Sequence, residues 1–118
     1  MKLRIQGDSI RLRLTQIEVA AIGRGELVAE TTCLPTPFVY VLDVGGDKVS
    51  ALYSKDSLCV TLPENIALRW ATTNEISIRG CEGKVDILVE KDFECLDPRP
   101  GERDADVFPN PKAKRKLG

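Results

Sequence analysis

The amino-acid sequence predicts a mainly β, barrel-like domain with two short helices, built as an internally duplicated strand–strand–helix–strand–strand unit. Three observations predict it. Asp8-Ser9-Ile10-Arg11-Leu12-Arg13-Leu14-Thr15 recurs forty-eight positions later as Asp56-Ser57-Leu58-Cys59-Val60-Thr61-Leu62-Pro63. Both copies put aliphatic residues at every second position, the period of a half-buried strand. Each copy then meets a helix-start residue, Thr15 or Pro63. Units of this size rarely bury a core alone, so the two copies are expected to share one.

The elements follow in order. Leu3 and Ile5 alternate with Lys2, Arg4 and Gln6, a first strand, and Gly7-Asp8 supplies a turn because glycine accepts positive φ. Ile10, Leu12 and Leu14 form the inward face of a second strand, with Arg11 and Arg13 outward. Thr15-Gln-Ile-Glu18 is a capping box, with Leu14 and Val19 placed as a hydrophobic staple, and the helix ends at Gly23 or Gly25. Glu26–Thr32 reads as a strand, broken by Leu34-Pro-Thr-Pro37, and Phe38–Val44 as a strong one. Gly45-Gly46-Asp47 carries a tight-hairpin signal, with Val49–Ser54 as the strand that opens the second unit.

In the second unit Leu58, Val60 and Leu62 repeat the first unit's aliphatic face. Pro63-Glu64 starts a second helix, where proline costs little. Ile66 and Trp70, one turn apart, are expected to pack inward together. Glu75–Ile78 and Val85–Val89 complete the unit around a turn at Cys81-Glu-Gly83. One domain is therefore expected over residues 1–92, with repeats at 1–44 and 48–92. From Phe93 the composition turns polar and proline-rich, predicting an extended or disordered tail over 93–118.

Composition excludes several function classes. Hydrophobic content of 42% suits a packed core, and a net charge of -1 gives the whole molecule little pull on nucleic acid or anionic lipid. No apolar run approaches the ~20 residues that span a bilayer. Met1-Lys-Leu-Arg4 leads into alternation and not an apolar signal core, so a cytoplasmic protein is expected. Cys33, Cys59, Cys81 and Cys95 form no C-x-x-C pair, and the chain has no histidine, so no metal site and no cofactor are expected. Buried or half-buried free thiols are the expectation, with a Cys33–Cys81 or Cys59–Cys95 bridge left open.

Gly7-Asp8-Ser9-x-x-Leu12-Arg13-Leu14-x-x-x-x-Val19 followed by Gly25-Glu26-Leu27-Val28 resembles the swapped-hairpin units of the AbrB and MazE type. Asp56-Ser57-Leu58-x-Val60-x-Leu62-Pro63, then Trp70 and Asn74-Glu75-Ile76, resembles them too. In that family two chains interlock; the resemblance implies here two fused units, a pseudo-dimer in one chain. It also implies DNA binding or an antitoxin-like role. The start MKLRI-x-G-x-SIRLRL and the later EKDFECL look like a small uncharacterised bacterial family, which brings no activity with it.

The basic face departs from a symmetric DNA reader. Lys2, Arg4, Arg11 and Arg13 have Ser50, Leu52, Cys59 and Thr61 as counterparts at the same offset, all uncharged. Asp8 also stands where antitoxin-type units often carry asparagine. Phosphate neutralisation supplies most DNA affinity, so half a basic face weakens that reading. The sequence thus predicts a non-enzymatic regulatory or protein-interaction domain with an unknown protein partner, as a monomer with pseudo-two-fold symmetry or a homodimer. Phe108 in the tail is the candidate partner anchor. The alternative is DNA binding through Lys2, Arg4, Arg11 and Arg13, with Lys112, Lys114, Arg115 and Lys116 as a basic arm. An enzyme is disfavoured: Ser9 and Ser57 have no histidine to activate them, and Asp104 and Asp106 lie in the tail.

Overall fold

A computed structural model describes residues 1–92. The expectations placed on 93–118, including Phe108, Lys112, Lys114, Arg115, Lys116 and Cys95, lie outside the described residues. The order is β1 (Lys2–Gln6), β2 (Ser9–Leu14), α1 (Gln16–Gly23), β3 (Val28–Thr32), β4 (Phe38–Val44), β5 (Ser50–Ser54), β6 (Ser57–Leu62), α2 (Glu64–Thr72), β7 (Ser77–Glu82) and β8 (Val85–Lys91).

Each half carries the same strand–strand–helix–strand–strand order, but neither half makes a sheet of its own. One four-stranded sheet runs β1-β2-β8-β7 and the other β3-β4-β6-β5. Every sheet therefore joins two strands from the first half to two from the second. At each junction the strands are parallel, β2 with β8 and β4 with β6, whereas the other pairs are antiparallel. Replacing β1, β2, β8 and β7 by β5, β6, β4 and β3 turns one sheet order into the other, so the interchange of halves is a topological symmetry.

The two sheets remain separate ladders, and no closed barrel forms among the described residues. Their edges nonetheless approach. At one corner β5 lies against β7, where an added Cβ on Gly80 would stand 2.5 Å from the Cβ of Val49. At the opposite corner the Met1 ammonium lies 3.1 Å from the Glu30 carboxylate on β3.

The core forms where the aliphatic alternation placed it. Ile10, Leu12, Leu14, Leu58, Val60 and Leu62 are all buried, joined by Leu42 of β4, Ile78 of β7 and Ile87 and Val89 of β8. Val19 and Ile22 of α1 and Ala67 and Trp70 of α2 complete it, each pair forty-eight positions from its counterpart. Where the helices meet, an added Cβ on Gly23 would stand 2.8 Å from that of Ala71, again its counterpart at forty-eight. The small pair lets the two backbones come close. Ile66 packs partly buried against this core beside the fully buried Trp70.

Local signals resolve as follows. Thr15 caps α1 with the full capping box: its hydroxyl accepts from the Glu18 amide at 3.4 Å, while the Thr15 amide donates to Glu18 Oε1 at 3.0 Å. Pro63 precedes α2 with no side-chain cap. Gly45-Gly46 does not close the expected tight hairpin. β4 and β5 are not neighbours, because β6 lies between them, and the glycines carry a crossover connection in which the Gly45 amide donates to Leu62 O at 2.7 Å. The last hairpin is also shifted. β7 begins at Ser77, not Glu75, and Cys81 and Glu82 belong to the strand, leaving the turn to Gly83-Lys84. Ile76 serves instead as an anchor, its carbonyl accepting from Trp70 Nε1 at 3.0 Å and from the Lys91 amide at 3.0 Å.

Candidate functional site: a basic sheet face

Strand alternation and register together build the outer face of the β1-β2-β8-β7 sheet. Residues paired across the ladder share a face, and every second residue along a strand returns to it. One row across the sheet is Arg4, Arg11, Leu88 and Arg79. The next is Lys2, Arg13, Glu90 and Ser77, and a third is Gln6, Ser9, Asp86 and Cys81. The four sequence-predicted residues Lys2, Arg4, Arg11 and Arg13 thus come together, as two directly opposed like-charge pairs, Lys2 with Arg13 and Arg4 with Arg11.

Like charges facing each other across a ladder destabilise it. Carboxylates from the other half offset part of that cost. Arg13 Nε donates to Glu90 Oε1 at 2.7 Å, and Arg11 Nε lies 3.6 Å from the same oxygen. Lys2 Nζ stands 3.0 Å from Asp92. For Arg4 the described contact is a 3.4 Å hydrogen bond to Gln6 Oε1, a neutral partner. The cationic partners are well exposed, so solvent screening keeps each pair's contribution to stability small.

Arg79 was not a sequence candidate. It belongs to the second repeat, and only the parallel pairing of β2 with β8 carries it into the row of Arg11. Its signal in the sequence was the alternation of Ser77, Arg79 and Cys81 about Ile78. Clefts open along the face; one of about 190 Å³ is lined by Lys2, Leu3, Arg4, Arg11 and Arg13, and two more share Ser9 and Arg11. Of these two, one, of about 130 Å³, is lined by Arg4, Gln6, Ser9 and Arg11; the other, of about 300 Å³, lies among Ser9, Arg11, Arg79, Gly80, Asp86, Ile87 and Leu88.

The counterpart face of the other sheet has a different chemistry. Its rows read Leu52, Cys59, Val41 and Ala29, then Ser54, Ser57, Val39 and Thr31, with Ser50, Thr61 and Asp43 beyond. Asp43 is the one charged side chain in these rows, and its Oδ1 accepts from the Val44 amide at 2.8 Å.

A family profile spans residues 1–112, that of a Family of unknown function (DUF7009). The chain belongs to DUF7009. No curated protein and no solved structure matches it. The start and end motifs that resembled an uncharacterised family agree with this membership, and the DUF7009 profile reaches past β8 into the segment beyond the described residues.

Other candidate chemistry on this DUF7009 chain resolves simply. No group of histidine, cysteine, aspartate or glutamate among the described residues is placed to hold a metal ion. Cys33, Cys59 and Cys81 are free thiols, so a Cys33–Cys81 bridge is absent, and Cys33 and Cys81 are exposed where burial was expected. Cys33 sits in the five-residue connection between β3 and β4, and Cys81 points outward from edge strand β7. No described helix is long and apolar enough to cross a membrane.

Proposed function

We propose that this protein is a non-enzymatic interaction domain that docks an acidic protein partner on the outer face of its β1-β2-β8-β7 sheet. The observation that carries this reading is the gathering of Lys2, Arg4, Arg11, Arg13 and Arg79 on one face, drawn from both halves of the chain. The counterpart face keeps none of these charges. Opposed arginines weaken the fold's own hairpin, a cost that an acidic partner recovers on binding. Glu90 and Asp86 within the face temper its field, and Leu88 at its centre offers an apolar contact, which suits a protein surface better than a phosphate backbone. The interleaved hairpins support reading the fold as two fused swapped-hairpin units of the AbrB and MazE type, in keeping with an antitoxin-like regulatory role.

The test is a titration of the full chain with polyglutamate at low and at raised salt. Binding is expected to weaken as salt rises and to be lost in the triple variant K2E/R4E/R79E. Salt-independent binding, or binding that survives the triple variant, rejects the basic face as the docking surface.

The cationic row across three strands also supports a second reading, DNA binding. A duplex oligonucleotide titrated under the same conditions separates the two. The interaction reading expects affinity for duplex no tighter than ~10⁻⁴ M at low salt, whereas a tighter duplex complex than polyglutamate complex selects DNA.

A further inference from the structure

Within the basic face, the arginines are not equivalent. Glu90 lies between Arg11 and Arg13 and uses one carboxylate oxygen on both, at 3.6 Å and 2.7 Å. Adjacent outward arginines on this sheet thus form a cradle that holds a carboxylate. The same strand presents a second cradle one row along. Arg4 faces Arg11 directly across the β1–β2 ladder, and Gln6 and Ser9 face each other in the next row. The open cleft of about 130 Å³ between these four side chains has room for a carboxylate and its bridging water. Among the described residues no carboxylate forms an ion pair with Arg4. Among the described residues its guanidinium donates to the Gln6 side-chain Oε1 at 3.4 Å, a long and weak hydrogen bond.

We infer that the Arg4–Gln6–Ser9–Arg11 cleft is a carboxylate-recognition subsite that takes an aspartate or glutamate side chain of the acidic partner. The arginine fork grips a planar carboxylate through paired donors, and the Ser9 hydroxyl and Gln6 amide lie at its rim. The bound carboxylate would neutralise the opposed Arg4–Arg11 pair as Glu90 neutralises Arg11 and Arg13. This inference rests on the docking reading above and names the group that the face selects.

The experiment is a calorimetric and NMR titration of the full chain with a blocked hexaglutamate peptide at low salt. Parallel titrations use inorganic phosphate and a duplex oligonucleotide. Arg4→Gln is expected to weaken peptide binding about tenfold, the scale of a lost charge-assisted contact. Gln6→Glu, which fills the cleft with the chain's own carboxylate, is expected to weaken it at least as much. Lys48→Gln, outside the face, serves as the unaffected control, and thermal melts confirm that each variant is folded. Ser9 and Arg11 amide shifts are expected to move with peptide in the parent chain and to stay still in Gln6→Glu.

Peptide binding unchanged in Arg4→Gln and Gln6→Glu, yet lost in the K2E/R4E/R79E variant, overturns the subsite and leaves the docking face standing. Peptide binding absent altogether overturns both. Phosphate displacing the peptide at equal concentration, or duplex binding more tightly, overturns the preference for carboxylate.

Discussion

Tyr40 and Lys91 are the two described side chains whose protonation is set by burial. The Tyr40 phenol donates to Met1 O at 3.2 Å, and burial, with the nearby Glu30 and Glu18 carboxylates adding to it, pushes its pKa up from the ordinary value. A phenol with a raised folded pKa contributes stability that is present below its unfolded pKa of about 10 and is lost as pH rises through the folded one. Lys91 behaves oppositely. Burial lowers its pKa, against a smaller raising effect from Glu75, while its ammonium donates to Thr73 O at 2.8 Å and lies 5.9 Å from the Trp70 ring centre. The unfolded chain then binds more protons just below the ordinary lysine value, so this group's contribution to stability rises with pH there. Ultraviolet phenolate absorbance of the native protein is expected to show an ionisation above the ordinary tyrosine range, and Tyr40→Phe to remove it. A late ionisation that survives Tyr40→Phe, or none in the parent chain, would reject the burial argument.

Between the helices, the Gly23–Ala71 contact makes a prediction about pairs of substitutions. A methyl added at Gly23 meets the Ala71 Cβ at 2.8 Å, closer than side chains approach, so Gly23→Ala is expected to cost about 1–3 kcal/mol through overpacking despite alanine's better helix propensity. The reciprocal exchange G23A/A71G restores the volume and is expected to recover most of that loss. Thermal melts of the two singles and the double measure the coupling, and additive losses would show that the helices do not meet there.

Much at this scale was legible in the sequence. The Thr15–Glu18 capping box, the aliphatic teeth of β2 and β6 and the start of α2 were all readable, because each depends on residues within one turn or one strand. The β4–β5 connection was not. Gly45-Gly46-Asp47 has the composition of a tight turn, and nothing local says that a strand from elsewhere will occupy the place between. Arg79 escaped for the same reason: its ladder partner Leu88 is local, but the Arg11 beyond it comes from β2, some seventy positions earlier. The partners of such residues are set by which strands pair, and strand pairing is long-range information.

For the molecule as a whole, the interleaved sheets make each half dependent on the other. Residues 1–47 alone would leave β2 and β4 with exposed parallel edges and half a core, and the same holds for the second half. Neither piece is expected to show a cooperative thermal transition as a monomer, whereas an equimolar mixture of 1–47 and 48–92 is expected to recover strand circular dichroism and a single transition. A folded monomeric half would contradict the shared core. The corners show how far the halves have diverged within that shared plan. Where the first carries the Met1 ammonium 2.6 Å from Glu18 and 3.1 Å from Glu30, the second carries Val49 packed on Gly80, with Ile66 at the place of Glu18.

The unlike outer faces of the two sheets bear on valency. A true dimer of identical halves would offer its charged surface twice and could bridge two anionic bodies into a chain or network. Here one side is basic and the other is faced with leucine, valine, serine and threonine. On the docking reading proposed above, the described residues of one molecule would offer one charged face, suited to capping an acidic target rather than to bridging two of them.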